Sequence, residues 1–189
     1  MIVAILAGGA STRFGGDKQL YRLNGQYLVN IVYRKVSILG LPTYIVTTPD
    51  RFHVYKSMGY SVIKDTYAVG PIGGILSALE LDNALVVGGD MPCIDPIFLR
   101  QLIRISRDGR YTVIPFYSKK GFLEPLHSVW SRCILSRLKE YVVSGGKHIQ
   151  RFLHNCRWLY KRYPVKSCWE LNSFYNINTR EDVNNVPCF

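Results

Sequence analysis

Ile2-Val3-Ala4-Ile5-Leu6-Ala7-Gly8-Gly9-Ala10-Ser11-Thr12-Arg13-Phe14-Gly15-Gly16-Asp17-Lys18 opens the chain, and the fold turns on how this stretch is read. Ile2–Leu6 is apolar at every position. A strand with one covered face alternates apolar and polar residues; a continuous apolar run predicts a strand covered on both faces, as in a parallel sheet. Four glycines then fall within nine positions, from Gly8 to Gly16. Glycine lets the backbone come close to a ligand, and successive N–H groups can cradle phosphate oxygens. Arg13 and Lys18 bring two cations to the same place. The loop has neither the G-x-G-x-x-G spacing of a dinucleotide fold nor the G-K-[ST] ending of a Walker A loop. Glycine alone would mark only a flexible connection. The cations directly after the first strand favour a phosphate site.

The chain outward from this loop keeps a regular alternation. Residues 26–39 predict a helix, with Leu28, Ile31, Val32 and Val36 near helical spacing. Residues 43–48 read as a strand, with β-branched Ile45 and Val46. Asp50 is placed to cap a short helix ending near Gly59, and residues 60–64 read as a third strand. Gly70 to Gly74 open a helix through Leu81. Residues 84–87 form a fourth strand ending in Gly88-Gly89-Asp90-Met91-Pro92. Asp95-Pro96 then sets an N-cap before a proline at the first helical position, and Ile97, Phe98, Leu102 and Ile105 share a face.

Repeated β-α units predict a parallel sheet with helices on both faces. The second half is less regular. Strands are expected at 111–115, within 121–130 and at 159–163; helices at 131–143, 147–154 and 179–183. The expectation is one α/β domain over 1–189, a three-layer Rossmann-like arrangement with antiparallel additions in the second half.

Composition narrows the partners. The 189 residues carry 24 Lys and Arg against 13 Asp and Glu, a net charge of +11. Residues 100–170 hold 15 of those cations and only four acids, Asp108, Glu124, Glu140 and Glu170; the remainder holds nine of each and is neutral. Nucleic acid, a membrane surface or a small anionic substrate would each suit a basic segment, as would a solubilising face. The five cysteines are odd in number, and none forms a C-x-x-C pair. This argues against a zinc ribbon or a small disulfide scaffold. The apolar start lacks a basic leader and is too short to span a membrane, so the cytoplasm is the expected compartment.

Asp90 lies directly after the fourth strand. A carboxylate at a strand end facing a polyphosphate is a natural Mg²⁺ ligand, because magnesium takes one or two carboxylates with phosphate oxygens and water. Its flanking Gly and Pro allow the plainer reading of a turn cap. The cationic loop nearby brings the two readings level. No H-E-x-x-H or triad spacing involves the four histidines, and His127 reads as a hydrogen-bonded structural residue. Gly145-Gly146-Lys147-His148 reads as a helix C-cap before a loop.

Leu-Ala-Gly-Gly-x-Ser-x-Arg-Phe-Gly-Gly-Asp-Lys resembles the signature loop of the molybdenum cofactor guanylyltransferases. Asp65 to Gly74, with Gly70-Pro71-Ile72, is similar to that family's D-x(n)-G-P-[LI]-x-G segment, and Gly89-Asp90-Met91-Pro92 to its metal-binding turn. Glu124-Pro125-Leu126-His127 and Asn176-Ile177-Asn178-Thr179 resemble its later landmarks. The resemblance runs from Ile2 to Asp182.

It implies the nucleotide-diphospho-sugar transferase (GT-A) type of fold. It also implies Mg²⁺-dependent transfer of GMP from GTP to molybdopterin-bound molybdenum, with release of pyrophosphate. Arg13, Lys18 and Asp90 would then be catalytic, and Asp90 the metal ligand. Leu6, Ala7, Gly8, Gly9, Lys18, Thr47, Asp65, Gly70, Gly74, Asn176 and Asn178 would line the nucleotide.

Residues 1–99 would form the nucleotide half and 100–189 the acceptor half. A carrier or recipient protein for the molybdenum cofactor is a further expected partner; nucleic acid and membrane are not. Two rivals remain at this point. One is transfer to another acceptor or from another nucleotide, such as CTP or a sugar phosphate reaction. The other is an RNA-binding module built on the basic half with Trp158, Tyr160 and Tyr163.

Overall fold

The computed structural model describes residues 1–9, 14–15 and 17–188. In chain order its strands and helices are β1 (Ile2–Leu6), β2 (Arg22–Leu23), β3 (Gln26–Tyr27), α1 (Leu28–Ser37), β4 (Thr43–Thr47), α2 (Phe52–Ser57), β5 (Val62–Lys64), α3 (Pro71–Leu81), β6 (Ala84–Gly88), α4 (Pro96–Ile105), β7 (Thr112–Tyr117), β8 (Phe122–Leu123), β9 (His127–Trp130), α5 (Leu135–Val143), α6 (Ile149–Asn155), β10 (Tyr160–Pro164) and α7 (Cys168–Asn172). The main sheet runs β10-β7-β9-β6-β1-β4-β5, with β8 on β7. β1 is parallel to both β4 and β6. The antiparallel members are β9, against β6 and β7, and β8.

The apolar run of β1 is explained by what covers it. Ile2, Ala4 and Leu6 pack with Ile72, Ile75 and Leu79 of α3. Val3, Ile5 and Ala7 pack on the other face with Val29, Val32 and Val36 of α1 and Phe98 of α4. Side chains alternate across a strand, so both alternating sets must be apolar. Truncating fully buried Ile5 to alanine would cost about 2–5 kcal/mol.

The layers of α1, α2 and α3 follow from direction. The chain moves outward from β1 to β4 and β5, then returns past β1 to β6. Right-handed crossovers in opposite directions put their helices on opposite faces. Accordingly, α1 and Tyr55 of α2 lie on one face and α3 on the other. The reversal creates a switch point beside β1, the place where open α/β sheets bind ligands.

Several boundaries differ from the sequence reading. The first helix begins at Leu28, because Asn24 (φ 48°) and Gly25 (φ 78°) turn a two-residue hairpin between β2 and β3. Both central residues take positive φ, as a type I′ turn demands. Asp50 is inside a 3₁₀ turn (Pro49–Arg51) whose N-cap is Thr48. On α4, Ile97 and Ile105 are exposed, and the buried set is Phe98, Leu99 and Leu102. Its Asp95 cap holds as expected, with Oδ1 accepting from the N–H groups of Ile97 and Phe98. The last helix is a 3₁₀ segment, Glu181–Asn185.

Gly145 and Gly146 close α5. Their N–H groups donate to Val142 and Tyr141, the paired bonds of a Schellman cap. Cys93 and Cys188 form a disulfide across a sequence separation of 95. Cys133, Cys156 and Cys168 are free. No described helix is long and apolar enough to cross a membrane.

Candidate functional site

The carboxyl ends of β1, β4 and β5 and the start of α3 enclose a cleft of about 350 Å³. Leu6, Gly8 and Gly9 form one wall; Val46, Thr48 and Asp50 another; Asp65, Gly70 and Gly74 a third. Two glycines of α3 are required by close approach. A Cβ on Gly73 would stand 2.9 Å from Asp65 Oδ1, and one on Gly74 would stand 3.1 Å from Leu6 Cδ2. Asp65 is buried, and its Oδ1 accepts from the N–H groups of Tyr67 and Ala68 and from the Ser77 hydroxyl. Burial still pushes its carboxyl above the usual range.

A second cluster adjoins the cleft through β1, where Gly89 N–H donates to the Leu6 carbonyl at 2.9 Å. Lys18 Nζ lies 2.5 Å from Asp90 Oδ2 and donates to Asn178 Oδ1 at 3.2 Å. The Lys18 and Asp90 side chains are only 10% and 14% exposed. Charges so enclosed persist only when paired.

Neighbouring bonds hold the three side chains in place. Asp17 Oδ1 accepts from Gln19 N–H and so caps the 3₁₀ turn that carries Lys18. Arg51 holds the other Asp17 oxygen at 3.1 Å, which ties the β4 loop to the Lys18 turn. Ile177 N–H donates to the Asp90 carbonyl, and Asp182 accepts from the N–H groups of Asn178 and Thr179. Beneath the cluster, Phe14, Leu23, Leu28, Ile31, Cys93, Ile177 and Val186 form a small apolar core.

Of the residues named from sequence, Leu6, Gly8, Gly9, Asp65, Gly70 and Gly74 meet in the cleft, and Lys18, Asp90 and Asn178 meet in the cluster. Ala7 is fully buried below the cleft, its N–H bonded to the Val46 carbonyl. Thr47 is also fully buried and donates to the Ala7 carbonyl; Thr48, one residue on, lines the cleft instead. The strand's alternation explains that change. Asn176 precedes Ile177, whose N–H bonds the Asp90 carbonyl, and its Oδ1 is buried without a partner among the described residues. Arg13 lies outside the described residues.

Two acids of the region were not singled out as site residues. Asp50, read only as a cap, lies on the cleft wall. Glu124, read only as a landmark, is buried; desolvation raises its pKa to about 7, and the negative charge of Asp90 adds to the shift. His127 is fully buried, its Nε2 within 3.1 Å of Ser173 Oγ, and burial lowers its pKa to about 3. It is a neutral core histidine.

A glycine-lined cleft at the switch point, with a buried Lys–Asp–Asn cluster beside it, defines an α/β domain for nucleoside triphosphate chemistry. Residues 3–161 match the MobA-like NTP transferase domain, and the chain belongs to that family.

Its relatives are alike along the whole length. It is 36% identical over 188 residues to "Probable molybdenum cofactor guanylyltransferase" of Thermococcus gammatolerans, covering 97% of both chains. It is 37% identical over 190 residues to the protein of the same description in Pyrococcus horikoshii, again covering 97% of each. Among solved structures, molybdopterin-guanine dinucleotide biosynthesis protein A from Archaeoglobus fulgidus superposes with a TM-score of 0.85 at 29% identity, covering 98% of this chain and 96% of that one.

Proposed function

We propose that the chain transfers GMP from GTP to the phosphate of molybdopterin-bound molybdenum and releases pyrophosphate. The observation that carries this reading is the enclosed Lys18–Asp90–Asn178 cluster beside the glycine-lined cleft. In this reading residues 1–99 hold the nucleotide and residues 100–189 the acceptor. The acceptor phosphate oxygen attacks the α-phosphorus of GTP. The bond from that phosphorus to the bridging oxygen breaks, and pyrophosphate leaves with the electron pair. Two anions must meet in line, so catalysis rests on positioning and charge neutralisation.

Lys18 supplies a fixed cation for the phosphates, joined by Arg13 of the same loop. The N–H groups of Gly8 and Gly9 cradle phosphate oxygens. Asp50 gives the cleft a carboxylate, which suits the paired N1–H and 2-amino donors of guanine; cytosine offers the 4-amino donor alone, beside acceptors at N3 and O2. This favours GTP over CTP.

The donors around Asp90 fit magnesium. The Asp90 carboxylate and the Asn178 amide offer oxygens, both now bonded to Lys18, and the buried oxygen of Asn176, two residues before Asn178, has no partner among the described residues. Such a set suits a hard cation that keeps waters and phosphate oxygens as its other ligands. When bound, magnesium supplies positive charge against the phosphates. Lys147 and Arg151 line a polar cavity of about 350 Å³ past the α5 cap. They serve capture of the anionic acceptor or docking of an acidic carrier protein.

The test supplies purified protein with Mg²⁺, molybdopterin and either GTP or CTP, and follows pyrophosphate. Release with GTP is expected. Unchanged turnover by Asp90→Ala or Lys18→Ala would refute the assigned centre, and an unchanged acceptor KM at low salt in Lys147→Ala/Arg151→Ala would refute the assigned capture role.

A further inference from the structure

A separate cavity of about 220 Å³ lies on the far half of the sheet, between edge strand β10, helix α6 and the β7–β8 turn. Alternate residues of β10 share a face. Tyr160 packs into the core on the α3 and α5 side. Arg162 follows on the same face, with its guanidinium 4.6 Å from the centre of the Phe116 ring. From α6 and the turn after it come Gln150, His154 and Arg157. Gln150 Nε2 donates to the Leu123 carbonyl at 2.8 Å, which anchors α6 to the β8 end of the cavity.

The chemistry of this lining is one-sided. It contains no carboxylate. Among the described residues no ion pair engages Arg157 or Arg162. Arg157 lies 3.4 Å from His154 Nδ1. A guanidinium only donates, so Nδ1 accepts and the proton of the neutral ring sits on Nε2 as a further donor. Tyr160 closes the core side of the cavity and is only 8% exposed.

Two guanidinium groups and an imidazole N–H approach from a strand, a helix and a turn. An acceptor-rich anion with oxygens in several directions matches them, and the space is smaller than the nucleotide cleft. We propose that this cavity binds a phosphate-class oxyanion, either free or as the monoester group of a small molecule. The proposal is independent of the transfer reaction.

Inorganic phosphate titrated into the whole protein, followed by ¹H–¹⁵N spectra, tests it. Saturable shifts are expected at the Gln150 side-chain amide and the backbone of Tyr160 and Arg162. Arg162→Gln should weaken binding about tenfold or more, and Arg157→Gln about threefold or more. Arg110→Gln removes the same unit charge from an exposed position outside the cavity and should leave affinity within about twofold, since only generalised screening changes. Lys18→Ala should leave the Gln150 response intact, because the nucleotide site is separate.

Glycerol 3-phosphate in a parallel titration separates the sources. Binding of both ligands identifies a monoester site, and binding of phosphate alone identifies a free-anion site. Absent or non-saturating shifts would overturn the proposal. So would equal losses in Arg110→Gln and Arg162→Gln, or loss of the Gln150 response in Lys18→Ala.

Discussion

Replacing Cys188 with serine tests how the end of the chain is held against the site. Cys188 is bonded to Cys93, which follows the Asp90-Met91-Pro92 turn, and Val186 beside it packs under the cluster with Ile177. The bridge spans a sequence separation of 95. Loop-closure entropy lost by the unfolded chain for a loop of this length is worth about 4.7 kcal/mol at 25 °C. A chain of this size moves its midpoint by roughly 2–4 °C per kcal/mol. Cys188→Ser should therefore unfold about 10–18 °C below the oxidised protein.

Calorimetry with and without a thiol reductant checks this. Reduction should bring the parent to the variant's midpoint and leave the variant unmoved. A thiol count on the oxidised, denatured parent should find only Cys133, Cys156 and Cys168 free. Coincident midpoints for oxidised parent and variant would refute the reasoning, as would five free thiols.

Asp90→Asn should lower kcat about 10²–10³-fold, the usual effect of removing one aligned electrostatic contact. Lys18→Ala should act similarly, and the double variant should lose far less than the product, because the pair acts as a unit. Gly73→Ala, whose new methyl meets Asp65 at 2.9 Å, should destabilise by about 1–3 kcal/mol and raise the KM for GTP; unchanged values in urea unfolding and kinetics would exclude the close approach. Asp50→Asn should narrow the preference for GTP over CTP in competition. Glu124 ionises in the fold near pH 7 against 4.5 for a free side chain. The folded form thus holds the extra proton between those values, and metal-free stability falls as pH rises through 7, by up to about 3 kcal/mol. Glu124→Gln should flatten that part of the Tm–pH curve, and an undiminished slope would locate the titration elsewhere.

Where local pattern and tertiary demand coincided, the fold was legible. β1 had to be apolar at every position because helices cover both faces, and Asp95-Pro96 is a cap whatever surrounds it. The misreadings have physical causes. On α4, Ile97 and Ile105 are apolar but exposed, and apolarity alone does not say which stripe meets a sheet. The β2–β3 hairpin is two residues a side, too short for periodicity to show, although Asn24-Gly25 carries its turn chemistry. Helix α7 is as short, and its only signal was Ser167 three residues before Glu170, a capping box that the structure contains. The disulfide joins residues brought together only by the tertiary fold, so no spacing rule could disclose it.

The site was legible to a different degree at each level. Glycines and cations after a first strand pointed to phosphate, and order along the chain pointed to a family. Which side chains face the cleft depends on strand phase, and there a one-residue difference exchanges Thr47 for Thr48. Charge shows the same limit. Beside the cleft, Lys18 is paired with Asp90 and Arg51 with Asp17, so the cations there are matched by acids. In the later half four of the 15 cations line two cavities on either side of α6, Lys147 and Arg151 in one, Arg157 and Arg162 in the other. A solubilising surface would spread its charge over open faces. Convergent cations in concave, acid-free pockets focus their field on whatever enters. The two cavities, rather than the whole excess, are the part of the charge that concavity sets up to attract an anion.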